Sequence, residues 1–229
     1  MDSFEGSGQS HWIPLSDLMT GLMMIFMLLT AMYMLRVEQT TTLIVQDYTK
    51  TKAELLRALQ ETFSKDLKQW DADFLGDMTL RFKNPDVMFA TGKSELKPEF
   101  KNILKSFIPR YISILTNPKF KGSIKEIRIE GHTSPMWNGL SKDEAYFKNM
   151  ELSQSRTVAT LEYILKMPEI SENATWIKSN LTANGLSSSK PILNGRGEID
   201  DRASQRVEFR IVTNAEDSMD KIAKGLEEK

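Results

Sequence analysis

Cysteine is absent from this chain of 229 residues. Its absence excludes disulfide bonds, thiolate metal sites and attachment to a lipid through an N-terminal cysteine. Histidine occurs only twice, so the sequence does not support a metal site, and we expect no cofactor. A large net charge is also missing. The value is −1, which is too small to indicate a protein that binds nucleic acid.

Charged residues are missing from the stretch 18–35. Together with residues 15–17, this makes about 20 residues, or ~30 Å of helix, the thickness of one bilayer core. A helix in a soluble protein typically has a polar stripe at helical spacing, and this stretch has none. The start is acidic and no signal-peptidase site follows. We therefore predict an uncleaved transmembrane helix over residues 12–35, preceded by a tail of residues 1–11.

One carboxylate, Asp17, lies at the leading end of this apolar stretch. Two interpretations are open. An acid near the start of a helix can simply interact with the positive end of the helix dipole, and Pro14 suits a first turn. Alternatively, an ionisable residue in a membrane span marks a functional site. In that case Asp17 carries a proton, with Ser16 and Thr20 as neighbours on its path.

The segment 36–76 is free of proline and of glycine until Gly76. Its apolar residues recur at steps of three and four, which predicts an amphipathic helix. They are Leu56, Leu59, Phe63, Leu67, Trp70 and Phe74. This helical linker either packs on its own domain, pairs with a second copy, or covers the mouth of a channel.

Apolar and polar residues alternate in four later segments, which predicts strands near residues 78–82, 124–132, 181–185 and 206–212. Two helices are expected between them, one beginning at Pro98 and one over residues 149–166. This order predicts an α/β domain over residues 77–213, an α+β sandwich with helices on one face of a sheet. Residues 214–229 are predicted to form a charged tail.

Four segments of this domain together resemble the OmpA-like, or MotB-type, peptidoglycan-binding domain. They are FATGKSEL at 89–96, IEGHT at 129–133, NMELSQSR at 149–156 and QRVEF at 205–209. The resemblance implies that Asn149, Leu152 and Arg156 help to bind the peptide stem of peptidoglycan. A guanidinium is a suitable two-pronged donor for a stem carboxylate.

Thr133 and Ser134 follow the second strand and are expected at the same site. Here the sequence departs from the family, which often has an aspartate in place of Ser134 that would bind the amino group of the stem. Binding is then weaker, differently specific, or supported by Asp143 or Glu144 from the following loop.

An N-terminal span with one acid, joined to such a domain, resembles the B subunit of proton-driven stator units. The SDLMT run at 16–20, the methionine-rich span and the short acidic tail resemble the B subunits of Zorya anti-phage defence systems more than flagellar MotB. This implies a dimer within a ring of a ZorA-like membrane subunit, in five copies by analogy. It also implies proton flow driven by the proton motive force.

A peptidoglycan-binding domain must be periplasmic, so the resemblance implies an inner-membrane protein with a cytoplasmic N-terminus. This overrules Arg36, which directly follows the span and by itself favours the opposite orientation. A flagellar stator subunit and a passive tether without ion transport are the alternatives. No nucleophile signature accompanies the motifs, so we do not expect an enzyme.

Overall fold

The computed structural model describes residues 12–214, without the side chains at positions 12–14, 40, 43–45, 47 and 48. The chain divides into two compact units, Met1–Lys50 and Thr51–Lys229. The predicted tail of residues 1–11 lies outside the described residues, as does all of the predicted tail 214–229 except Asn214.

The first unit contains the beginning of helix α1, which runs over Trp12–Gln69. Within residues 12–214, one helical segment, Leu15–Gln39, is long and apolar enough to cross a membrane, with a mean hydropathy of 2.0. Every side chain from position 15 to position 36 is exposed in this unit. The prediction of one N-terminal apolar helix is confirmed.

The second unit is built on a five-stranded sheet with the strand order β1-β2-β5-β3-β4. Strands β3 and β4 are parallel, and the other neighbours are antiparallel. The strands are β1 (Ala72–Phe74), β2 (Thr79–Phe82), β3 (Ile124–His132), β4 (Leu181–Gly185) and β5 (Arg206–Thr213). The four predicted strands are present. Strand β1 was not predicted, because three residues are too few to show an alternating pattern.

The helices of this unit differ greatly in length. They are α2 (Pro85–Met88), α3 (Pro98–Leu115), α4 (Pro118–Lys121), α5 (Lys142–Leu165), α6 (Ala174–Asn180) and α7 (Asp201–Ser204), with a 3₁₀ helix at Pro168–Asn173. Helix α5 begins seven residues before the predicted position. Its Ser141 cap exchanges hydrogen bonds with Glu144 in a capping box, which starts the helix early.

The core lies between the helices and one face of the sheet. On α3, Phe107 has its ring centroid 5.7 Å from that of Phe82 and 5.2 Å from that of Phe209. Gly131 of β3, which contacts α5, is on the same face as Phe209, because Ile129 pairs with Phe209 and Gly131 with Val207. The predicted α+β sandwich with helices on one face is thus confirmed.

The C-terminal part of α1 belongs to this core. Leu55, Leu59 and Phe63 are at most 1% exposed and pack in the same cluster as Trp70. The helical stripe therefore packs on its own domain, the first of the interpretations that the sequence left open. The predicted helix was too long at its end, because α1 stops at Gln69 and Phe74 lies in β1. The alternating strand pattern had predicted that the domain begins at residue 77. The core begins earlier in the chain, because the apolar side of α1 contributes to it before the first strand.

Helix α5 approaches the sheet so closely that two strand positions have no room for a side chain. A Cβ atom at Gly131 would lie 2.7 Å from Thr157 Cγ2 and 2.8 Å from the carbonyl oxygen of Ser153. At Gly185 it would meet the backbone of Gln154. Glycine at both positions permits this contact, and it places the middle of α5 beside the ends of β3 and β4.

The buried ring of Phe63 provides a test of this core assignment. We expect Phe63→Ala to lower the free energy of unfolding by about 3–5 kcal/mol, because it leaves a cavity between α1 and α3. Urea unfolding of the full-length chain in detergent, followed by tryptophan fluorescence, measures this, since the Trp70 ring lies 5.9 Å from that of Phe63. The exposed Lys65→Ala is the control and should change it by no more than about 0.5 kcal/mol. Equal effects of both substitutions would contradict the assignment.

Candidate functional site

The four sequence segments that are far apart in the chain meet around one cavity of about 300 Å³. Each contributes to its wall, together with the loop that follows β3. The lining residues are Thr91, Gly92, Thr133, Ser134, Met136, Trp137, Asn138, Asn149, Leu152, Arg156 and Gln205. All five residues predicted for stem binding are among them. This volume is at the lower end of the range for ligand pockets, which suits a group of amino-acid size.

Arg156 is held in place by a turn that lies more than 60 positions earlier in the chain. Its Nε donates a hydrogen bond to the carbonyl oxygen of Lys93 at 2.9 Å, and its Nη2 to that of Ala90 at 3.3 Å. Gly92 has a φ of +68° in this turn, a conformation that favours glycine. The guanidinium carbon lies 4.9 Å from the centre of the Phe89 ring, a cation–π contact.

The positive charge of Arg156 has no acidic partner at the cavity. The side chain is buried, and among the described lining residues none is acidic. Burial, with no opposing charge, lowers the pKa of the guanidinium to about 10, so the group is still a cation at neutral pH. Its contacts with two carbonyls and a ring stabilise the charge only in part, and an anion in the cavity would complete its environment.

Asn149 and the two residues after β3 form the wall beside the N-terminal half of α5. The Nδ2 of Asn149 donates to the carbonyl oxygen of Ser134 at 3.0 Å, which ties the loop to the helix. Thr133 is 3% exposed, and its Oγ1 has no hydrogen-bond partner. Leu152 is half-buried and lines the cavity. Thr133 thus lines the cavity and has a buried hydroxyl without a hydrogen-bond partner among the described residues.

The acids considered as substitutes for the missing aspartate do not line the cavity. Glu144 Oε2 accepts hydrogen bonds from the backbone nitrogen of Ser141 at 3.0 Å and from its hydroxyl at 2.6 Å. Its role is to cap α5. Asp143 is exposed in the first turn of the same helix. Ser134 is therefore uncharged at the position of the family's aspartate, and no other lining residue supplies the missing carboxylate.

Several lining residues were not predicted as site residues from the sequence. Met136, Trp137 and Asn138 belong to the irregular loop that follows β3, where no periodicity shows which side chain faces inward. Gln205 directly precedes β5. It was part of a recognised segment, and its position next to a strand end was the signal that could have identified it.

A buried charged cluster lies on the opposite face of the sheet, near the end of β3. Glu208 Oε1 accepts hydrogen bonds from Arg206 Nε at 2.6 Å and from Arg81 Nε at 2.7 Å. His132 Nε2 lies 3.5 Å from Glu208 Oε2 and 3.9 Å from Glu130 Oε2. Burial lowers the pKa of His132, so the ring is neutral at pH 7. Burial alone would raise the pKa of Glu208, but His132 and Arg206 outweigh it and hold this pKa well below its usual range.

By distance alone this cluster could hold a metal ion, since ligand atoms of Glu130, His132 and Glu208 lie within 4.8 Å of one another. The two guanidinium groups of Arg81 and Arg206, however, already offset the two carboxylates. We interpret the cluster as an ion-pair network that stabilises the strand ends behind the cavity.

The predicted proton-path residues all lie on α1, within the first unit. Asp17, Ser16 and Thr20 are exposed on the helix. The hydroxyl of Thr20 donates to the carbonyl oxygen of Ser16 at 2.8 Å. At spacings of three and four residues, Thr20 and Gly21 share a face with Asp17. Small and hydroxylated residues on such a face permit close approach of another helix.

The chain was compared with known families, solved structures and curated sequences. No family model matches the chain. Among solved structures, a MotB-like protein from Desulfovibrio vulgaris is 23% identical, with a TM-score of 0.46, and covers 71% of this chain and 98% of its own. The cell wall anchor of the T6SS from Pseudomonas aeruginosa is 17% identical, with a TM-score of 0.46, and covers 68% and 96%.

A curated sequence relative is far more similar. Zorya protein ZorB from Escherichia coli is 45% identical over 217 residues, which cover 93% of this chain and 92% of that protein. At this identity over nearly the whole length, the chain belongs to the ZorB family of Zorya proteins.

Proposed function

We propose that the protein is the cell-wall-anchoring and proton-path subunit of an inner-membrane motor that acts in anti-phage defence and is driven by the proton motive force. As a ZorB-family member, it is a stator-type anchoring subunit rather than an enzyme. The observation that carries the proposal is the cavity in which the buried cation Arg156 lacks an acidic partner.

The cavity supports binding of the peptide stem of peptidoglycan. Stem peptides end in carboxylates, and Arg156 can give such a group two parallel hydrogen bonds. Thr133 lines the same cavity, and its buried hydroxyl has no hydrogen-bond partner among residues 12–214. Leu152 and Asn149 complete the wall next to these donors. In this proposal the second unit is periplasmic, and the N-terminus is cytoplasmic.

The apolar helix supports a role in the membrane. Its segment Leu15–Gln39 is long and apolar enough to cross the bilayer once, and Asp17 is the one carboxylate in the apolar stretch up to residue 35. We propose that two copies of this span lie inside a ring of a ZorA-like subunit, which is a pentamer by analogy with stator units. The carboxyl group of Asp17 then binds and releases protons beside that ring.

Proton binding and wall anchoring act together in this mechanism. A membrane potential of 100 mV supplies about 2.3 kcal/mol for each elementary charge that crosses. The neutral and charged forms of Asp17 prefer different surroundings, so each proton transfer favours a new position of the surrounding ring. Because the second unit holds this subunit to the wall, the ring moves and the anchored subunit does not.

Substitution of Asp17 by asparagine tests the proton path. Asp17→Asn keeps the shape of the side chain but cannot take up or release a proton at neutral pH. We expect proton flux through the reconstituted complex to fall to the level of empty vesicles, and protection of cells against phage to be lost. The control Asp143→Asn makes the same change at an exposed site outside the span. If Asp17→Asn retained both flux and protection, the protein would be a tether alone.

Removal of the cavity cation tests wall binding. We expect Arg156→Ala to weaken binding to purified sacculi at least about tenfold, because truncating one partner of a buried charged contact costs about 2–5 kcal/mol. Co-sedimentation of the detergent-solubilised chain with sacculi measures this. Thermal unfolding is recorded in parallel, since Arg156 also holds the turn at Ala90.

The matched control for this substitution is Arg196→Ala, which removes an exposed arginine that does not line the cavity. It should leave binding to sacculi unchanged. Full binding by a folded Arg156→Ala variant would show that the wall is bound elsewhere on the protein.

A further inference from the structure

The cavity that contains Arg156 is positively charged and has no negative charge to balance it. Its lining includes one cation and, among the described residues, no carboxylate. The other strongly buried arginine of the unit differs in this respect, because Arg206 Nε lies 2.6 Å from Glu208 Oε1. Arg156 therefore lacks a counter-charge because of the cavity that it lines, since burial of an arginine in this unit does not by itself exclude an acidic partner.

The hydrogen-bonding groups of the cavity wall include donors that are still available. A guanidinium has five N–H donors, and the contacts of Arg156 with Lys93 and Ala90 occupy Nε and one position on Nη2. Thr133 Oγ1 is buried and makes no hydrogen bond. A carboxylate has only acceptors, so it can accept hydrogen bonds from the guanidinium donors that remain.

A ligand that also carries an ammonium group would meet unfavourable surroundings in this cavity. Its charge would have to leave water near the positive Arg156. The other polar side chains on the wall, including Ser134 and Asn138, are uncharged. The remaining wall, with Leu152, Met136 and Trp137, favours apolar groups.

We propose that the cavity selects peptide ends that carry a carboxylate but no ammonium group. On a peptidoglycan stem, a terminal alanine has this chemistry, because its amine is acylated and its side chain is a methyl group. The free end of a diamino acid, which carries a carboxylate and an ammonium on the same carbon, does not. This inference rests on the proposed binding of stem peptides and specifies the charge that the same cavity accepts.

Three synthetic tripeptide stems that end in diaminopimelate and differ only at its side-chain amine test this selection. The amine is free in the first, acetylated in the second and dimethylated in the third, which is bulkier than the first but still cationic. Binding to the full-length chain in detergent is measured by isothermal titration calorimetry. The N-terminal amine is acetylated in all three peptides, so that the side-chain amine is the one group that can carry a positive charge. We expect the peptide acetylated at the side-chain amine to bind roughly tenfold more tightly than the other two, because it alone lacks the ammonium charge.

A carboxylate added at the cavity wall should reverse this order. Ser134→Asp places an acid in the lining, and we expect it to bind the free amine more tightly than the acetylated peptide. The control Ser171→Asp adds the same charge at an exposed position that does not line the cavity. It should retain the wild-type preference.

The outcomes separate the two proposals. Equal affinity of the wild-type chain for all three peptides, or tighter binding of the free amine, would overturn the charge selection and leave stem binding intact. Binding of none of the peptides would overturn stem binding at this cavity as well. The comparison of peptides on the wild-type chain does not depend on the folding of Ser134→Asp.

Discussion

Close packing of α5 against β3 and β4 is the constraint on which the cavity depends. It requires glycine at positions 131 and 185, where a Cβ atom would collide with α5. It is reinforced by Gln154, whose amide group accepts from Gly185 N at 2.7 Å and donates to Ala183 O at 3.2 Å. Because α5 lies so near the strand ends, Asn149 reaches the loop after β3 and Arg156 reaches the turn at Ala90.

This packing explains how an unbalanced cation can remain buried. A cation in a protein interior is costly unless its donors are occupied. Arg156 gains two carbonyl acceptors from a turn more than 60 residues away and the face of the Phe89 ring. The stability of the core offsets the rest of the cost, and Arg156 also lines the cavity. The buried charge of Arg156 therefore both destabilises the protein locally and provides a binding site for an anion.

Much of the fold could be predicted from local patterns. The alternating residues at 124–132 and 181–185 became strands with the predicted bounds, since one face of each packs on the helices. The start of α5 was placed too late, because the apolar residues among 142–148 are consecutive and do not recur at helical spacing. The participation of α1 in the core was one of several interpretations, because an apolar stripe does not show what it packs against.

The sequence by itself determined the apolar span with its single carboxylate, the strands, and the spacing of three and four residues that puts Asn149, Leu152 and Arg156 on one face of a helix. These features depend on neighbours within a few positions. Only the tertiary structure decided that the cavity contains no acid, that Thr133 has an unused hydroxyl, and that the turn at Ala90 and Lys93 holds Arg156. Such features depend on contacts between irregular loops far apart in the chain, and no local periodicity encodes them.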